Sequence, residues 1–187
     1  MCLEFIRQWR GDIWREKYNE TLRELDQCRA ENKVCFDTLL VCQQGNTPAP
    51  VVNEKDKHLK SGFWMQAAIS KIPDCKLIHY PLDGKYVTAN KDVWRLLVAW
   101  DWVNTRKYLE DFWDCEDYAI LFKGRSVYYF GLNSCAVVID YSSGHAYNLI
   151  VYPDGEAEIF EPQDDLFIPV IGRNIKLYGL QEGAILL

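Results

Sequence analysis

Two textures of hydrophobic and polar positions divide the chain. From residue 126 onward, apolar and polar positions alternate in short runs, and 126–130, 136–141, 146–152 and 156–160 all read as strands. The last two runs flank Asp154-Gly155, a hairpin signal, and 175–178 and 184–186 suggest edge strands. Upstream the period is helical. Val93, Leu96, Leu97, Trp100 and Val103 share one face of a helix expected over 93–108, with Asn90 as its cap. A shorter helix is expected over 63–72, ended by Pro73, and short strands over 76–80 and 86–88 around the Asp83-Gly84 turn. Helices followed by an antiparallel sheet define an α+β domain over 63–187.

The segment before this domain behaves differently. Residues 1–45 carry 15 charges and almost no glycine or proline, which predicts one long helix. Tyr18, Leu25, Asn32 and Leu39 fall on one heptad position, and Thr21, Cys28, Cys35 and Cys42 on the other. A self-associating coiled coil fits that frame, as does an amphipathic helix packed on its own domain. Phe5, Ile6, Trp9, Ile13 and Trp14 add an aromatic patch suited to docking on a protein partner. Homo-oligomerisation or partner docking is therefore the expectation for 1–45. Interchain disulfides through Cys28, Cys35 and Cys42 are left open. The stretch 46–62, with two prolines and a charge run, reads as a linker.

Charge and composition narrow the function classes. A net charge of −6 offers no basic face for nucleic acid. No run is long and apolar enough for a transmembrane segment. The first residues lack the pattern of a signal peptide, so a cytoplasmic or virion-associated protein is expected. Seven cysteines without a Cys-x-x-Cys pair argue against both a disulfide framework and a structural zinc site.

With three cysteines assigned to the heptad stripe, Cys115 stands out. It opens an expected helix capped by Asp114 and ended at Lys123-Gly124, where the helix dipole favours a thiolate. Asp114, Glu116 and Asp117 oppose that effect, so activation needs a cationic imidazole nearby. His145 follows the Ser142-Ser143-Gly144 turn and begins a strand, which puts it at a sheet end. Glu161, on the returning strand, is the acid expected to orient it, with Asp140, Asp164 and Asp165 as substitutes. A strict two-residue turn at Asp154-Gly155 would pair Glu161 with Asn148 and point it away from His145. A bulge or a loosened strand end near Pro162 has to shift it by one residue.

The series "DCEDYA", "HAYN", "DGEAEIFEP" resembles the transglutaminase-like, papain-type cysteine hydrolases. It is closest in pattern to small phage and bacterial proteins with Asp-Cys-Asp-Asp-Phe/Tyr-Ala, His-Ala-x-Asn and Glu-Pro-Gln motifs, a group that also resembles the protease-like domain of a fungal agglutinin. The resemblance covers about 83–165. It implies Cys115 as nucleophile, His145 as base, Glu161 as orienting acid and Gln163 as a polar neighbour. Papain-type enzymes place a glutamine before the nucleophile as oxyanion donor, whereas this chain has Leu109, Phe112 and Trp113 there. The Cys115 backbone N–H with Trp102, Asn104 or Gln163 would have to serve instead. The expected function is a cysteine hydrolase or acyl transferase acting on an amide or isopeptide bond of a peptide or protein substrate. The alternative is a catalytically silent structural or binding protein, such as a phage virion component. A third reading, a carbohydrate-binding module, rests on Trp94, Trp100 and Trp102. No cofactor is expected. Calcium is the cation that Glu110, Asp111, Asp114 and Asp117 would suggest, although no calcium-loop pattern is present.

Overall fold

A computed structural model describes residues 48–187, which form one unit. The expected long helix, its heptad frame and Cys28, Cys35 and Cys42 lie outside the described residues. The described chain is mixed α/β, with three α-helices and a mostly antiparallel sheet. In chain order the elements are β1 (Lys57–Ser61), α1 (Gly62–Ile69), β2 (Ile78–Tyr80), β3 (Lys85–Ala89), α2 (Lys91–Trp100), α3 (Cys115–Phe130), β4 (Cys135–Asp140), β5 (His145–Val151), β6 (Ala157–Glu161), β7 (Leu166–Pro169) and β8 (Gly183–Leu186).

Several expectations change. Residues 57–61, read as linker from their charge, form β1 and pair antiparallel with β3. The strands on either side of Asp83-Gly84 do not pair with each other, because β2 instead runs parallel to β8. Helix α2 stops at Trp100 rather than near residue 108. Asp101 ends it by accepting the Val103 N–H at 2.9 Å, a local bond that competes with the helix. Its buried face is Trp94, Leu97 and Val98, while Leu96 is exposed.

Helix α3 runs well past Gly124. The run 126–130 reads as a strand by alternation, yet it is the last turn of this helix. Tyr118, Ala119, Phe122, Arg125, Ser126 and Phe130 line its buried face at helical spacing. The real stop is Gly131, which takes the left-handed conformation (φ 65°) that glycine adopts without penalty. Segment 175–178 is irregular rather than a strand, and β7 was not expected at all. Strand β8 is no edge strand, because it lies between β2 and β4.

The six-stranded sheet has the order β2-β8-β4-β5-β6-β7. One face packs on α1, where Met65, Ala68 and Ile69 meet Tyr147, Leu149, Val151 and Ile159. The other packs on α2 and α3, where Trp94, Leu97 and Phe122 meet Ile150, Tyr152 and Phe160. Phe160 is fully buried, with its ring centre 4.3 Å from that of Phe122 and 4.9 Å from that of Phe167. Burying such a ring is worth about 2–3 kcal/mol, which locks β6 in the sheet.

Candidate functional site

The hairpin joining β5 to β6 decides the geometry. Tyr152 and Glu156 close a three-residue loop, Pro153-Asp154-Gly155. The Tyr152 N–H donates to the Glu156 carbonyl at 2.9 Å, and the Gly155 N–H donates back to Tyr152 at 3.0 Å. Proline favours the first turn position, and Gly155 supplies the left-handed residue (φ 88°) that such a loop requires. With three loop residues instead of two, the register moves by one. Phe160 pairs with Asn148, and that ladder brings Glu161 beside Tyr147. Glu161 and His145 therefore share a face. The required shift arises in the loop and not at Pro162.

Helix α3 delivers the third residue. The Asn148 side-chain amide donates to the Ala119 carbonyl at 2.9 Å and to the Ala136 carbonyl at 3.1 Å, which fixes the helix over β4 and β5. One turn before Ala119, the helix begins at Cys115, over the sheet end where β5 starts. Asp114 is the N-cap, and its backbone N–H donates to Asp117 Oδ2 at 3.4 Å.

Cys115, His145 and Glu161 thus come together. His145 Nε2 lies 2.6 Å from Glu161 Oε2, with 22% of the His145 side chain and 6% of the Glu161 side chain exposed. Burial works against the charged imidazole, but hydrogen bonding to Cys115 and Glu161 outweighs it and raises His145 to about 9. His145 is then an imidazolium at neutral pH. Glu161 Oε1 is buried without a hydrogen-bond partner, so one carboxylate oxygen carries the site's contacts. Cys115 is half-buried and donates to Glu116 Oε2 at 3.5 Å. The adjacent Asp114 carboxyl, hydrogen-bonded to Glu116, pushes the latter's pKa up.

Trp102 is buried with the Arg125 guanidinium 4.4 Å from its ring centre, and the Asn104 amide donates to Asp165 Oδ2 at 2.7 Å. Gln163 is half-buried in the turn after β6. Of the substitute acids, Asp140 is fully buried and binds Ser142, Tyr147 and the Leu180 N–H instead of His145. Among the described residues, the potential ligand atoms that lie within 4.8 Å of one another belong to Asp114, Cys115 and Glu116.

Sequence reasoning missed two residues at the site. The rings of Tyr147 and Tyr178 stand 5.6 and 6.1 Å from the His145 ring. Tyr147 was within reach of pattern reading, since it lies two residues beyond His145 on one strand. Tyr178 comes from an irregular segment with no local signal.

No family model matches this chain, and no curated protein matches it. Solved structures do. The complex of PSL1a with E64 superposes with a TM-score of 0.55 and 20% identity, over 68% of this chain and 49% of that one. The Polyporus squamosus lectin bound to the human-type influenza-binding epitope Neu5Aca2-6Galb1-4GlcNAc gives a TM-score of 0.55 and 20% identity over 69% and 49%. The fold is shared with a fungal lectin. At this identity the likeness concerns the fold, and this chain spans about half the length of those lectin chains. The finding corrects the resemblance to papain- and transglutaminase-type hydrolases. The thiol-protease function and peptide substrate drawn from it are corrected with it, because the neighbour whose title states a role is a lectin bound to a saccharide epitope.

Proposed function

We propose that this chain is a binding protein, and that Cys115, His145 and Glu161 form the polar centre of its ligand site. The observation that carries this reading is the fold shared with a fungal lectin, which makes a carbohydrate the first ligand class to test. The stacking platform once suggested by Trp94, Trp100 and Trp102 does not support it, since Trp94 and Trp102 are buried and Trp100 packs edge-on against Phe130. The trio of Cys115, His145 and Glu161 is the better candidate. It offers an imidazolium N–H, a thiol and a carboxylate at a sheet end, the small set of convergent polar groups that a ligand site uses for orientation. Asp114, Glu116 and Asp117 rim the thiol, so a neutral oligosaccharide is favoured over a carboxylated one.

In this reading the Cys115 sulfur lies within hydrogen-bond reach of the imidazolium. Two measurements test the proposal on the full chain. Calorimetric titration with neutral and sialylated oligosaccharides should give heat in the wild type that His145→Ala diminishes. Iodoacetamide should alkylate Cys115 faster in the wild type than in His145→Ala, and a bound ligand should protect the thiol. Cys115-dependent turnover of an amide or ester, with no saccharide binding, would overturn the binding reading. Equal, slow alkylation in both proteins would remove the trio from it.

A further inference from the structure

The segment after β7 has no regular structure, yet it is tied down at several points. The Arg173 guanidinium donates to the Tyr178 carbonyl at 2.8 Å and to the Val170 carbonyl at 3.0 Å. Two residues past Tyr178, the Leu180 N–H donates to Asp140 Oδ2 at 2.9 Å. The same carboxylate oxygen accepts the Tyr147 O–H at 2.9 Å. One fully buried carboxylate therefore anchors both the ring of Tyr147 and the chain that carries Tyr178.

Those two rings meet edge-to-face, with centres 5.0 Å apart at 87°. Together they form a corner, and His145 stands in it, 5.6 Å from one ring centre and 6.1 Å from the other. Tyr178 also donates its O–H to Glu161 Oε2 at 3.5 Å, the oxygen already in contact with His145. A separation near 6 Å between a cation and an aromatic ring is the range in which the ring's quadrupole attracts the charge.

We infer that Tyr178 is a positioning residue whose ring, with that of Tyr147, holds His145 against Glu161 and favours its charged form. The inference rests on the reading of Cys115, His145 and Glu161 as the polar centre of one site. The ionisable groups against this imidazole are Glu161 from β6 and Cys115 from α3, while Asp140, Arg173 and Cys75 act on Tyr147 and Asp164 on Tyr178. Neither Glu161 nor Cys115 is carried by the 170–180 segment. Tyr178 is what that segment contributes, and its 3.5 Å bond is too long to do so mainly through the hydroxyl.

The test is the titration of the His145 ring, followed by NMR in the full-length chain with labelled histidine, for the wild type, Tyr178→Phe and Tyr178→Met. Methionine keeps much of the volume without an aromatic face. Tyr178→Phe should titrate close to the wild type. Tyr178→Met should bind its proton about three- to tenfold more weakly, the range expected for a partly desolvated cation–ring contact. If Tyr178→Met does not fold, fluorinated phenylalanines at position 178 keep the shape, and each added fluorine should lower the proton affinity further. An unchanged midpoint in a folded ring-less or fluorinated variant overturns the inference, as does a Tyr178→Phe midpoint that falls as far as that of Tyr178→Met. The wild type separates the two levels. If its His145 titrates near the ordinary 6.5, the reading of His145 as an imidazolium at the site's polar centre fails. If it titrates near 9 and ignores the ring, the role of Tyr178 alone fails.

Discussion

The β5–β6 hairpin carries a cluster of opposite charges at each end, and the two differ in almost every physical respect. At the loop end, Lys91 lies 3.0 Å from Glu158 and 3.4 Å from Glu156, with 36% of the lysine side chain and 68% of Glu156 exposed. At the other end, His145 and Glu161 meet at 2.6 Å with 22% and 6% exposed. Water reaches Lys91 and Glu156 in the first cluster, whereas the Glu158 side chain is 13% exposed and also accepts the Tyr152 O–H. The second is held by the sheet, the start of α3 and two tyrosine rings, so its charges must be satisfied by one another. Similar residue chemistry thus gives an ordinary surface patch at one end and a candidate ligand site at the other, and burial makes the difference.

Removing the buried carboxylate should have the largest effect. Glu161→Ala leaves the imidazolium without its counter-charge and should cost about 3–5 kcal/mol at pH 6.5, the range for breaking one half of a buried pair. The pH dependence sharpens this. His145 is raised from 6.5 to about 9 in the folded chain, so the stability it contributes is fully present below 6.5 and is lost as the pH rises through 9. Urea midpoints of wild type and Glu161→Ala should therefore converge between those values. A constant gap across the window would show that Glu161 supports packing and not the charge on His145.

A third carboxylate sits between the two extremes. Asp165, in the turn after β6, has the Asn104 amide as its donor. Burial, reinforced by Asp101 and Asp164, raises it from 3.8 to about 6. The sign is the reverse of that for His145. The folded state bears the cost of this charge fully above pH 6 and not at all below 3.8. Asp165→Asn keeps an acceptor for Asn104, and asparagine tolerates the left-handed backbone found here (φ 56°). It should stabilise the protein by about 1 kcal/mol at pH 7, discounted for partial exposure, with the gain fading below pH 6. A loss of stability at pH 7 would mean that the Asn104 contact needs the full carboxylate.

The contrast between the hairpin ends also marks what was legible in the sequence. Cys115 at a helix start, His145 at a strand start and Glu161 on the returning strand were readable from local signals, and the structure brings them together. Their register was not, because Asp154-Gly155 reads as a two-residue turn unless Pro153 is counted into the loop. One residue decided which face Glu161 occupies. The strand misread over 126–130 has a related cause: alternation over five residues looks the same in a strand and on an amphipathic helical turn, and Gly124 was an attractive but false stop. Tyr178 and the β2–β8 pairing depend on contacts distant in sequence, for which no local pattern exists. The chemistry attached to the trio misled for a different reason. A motif names residue types in order, and the likeness to a fungal lectin shows that the same fold also occurs in carbohydrate-binding proteins.

The smallest effect belongs to the exposed end. Burial raises the Glu158 pKa, but the Tyr152 hydroxyl at 2.7 Å and Lys91 outweigh it and hold Glu158 below its ordinary value. Tyr152 would remain as a donor after Lys91→Ala, so Glu158 would keep a partner. The substitution also removes the ammonium 5.0 Å from the Tyr152 ring centre, a contact open to solvent. Its cost should lie between about 0 and 1 kcal/mol and shrink further in 1 M salt, where exposed pairs are screened. Urea denaturation at low and high salt reads both quantities. A cost near that of Glu161→Ala would mean that the Lys91 cluster is as tightly held as the His145 pair, and burial would no longer explain why the two ends of one hairpin behave so differently.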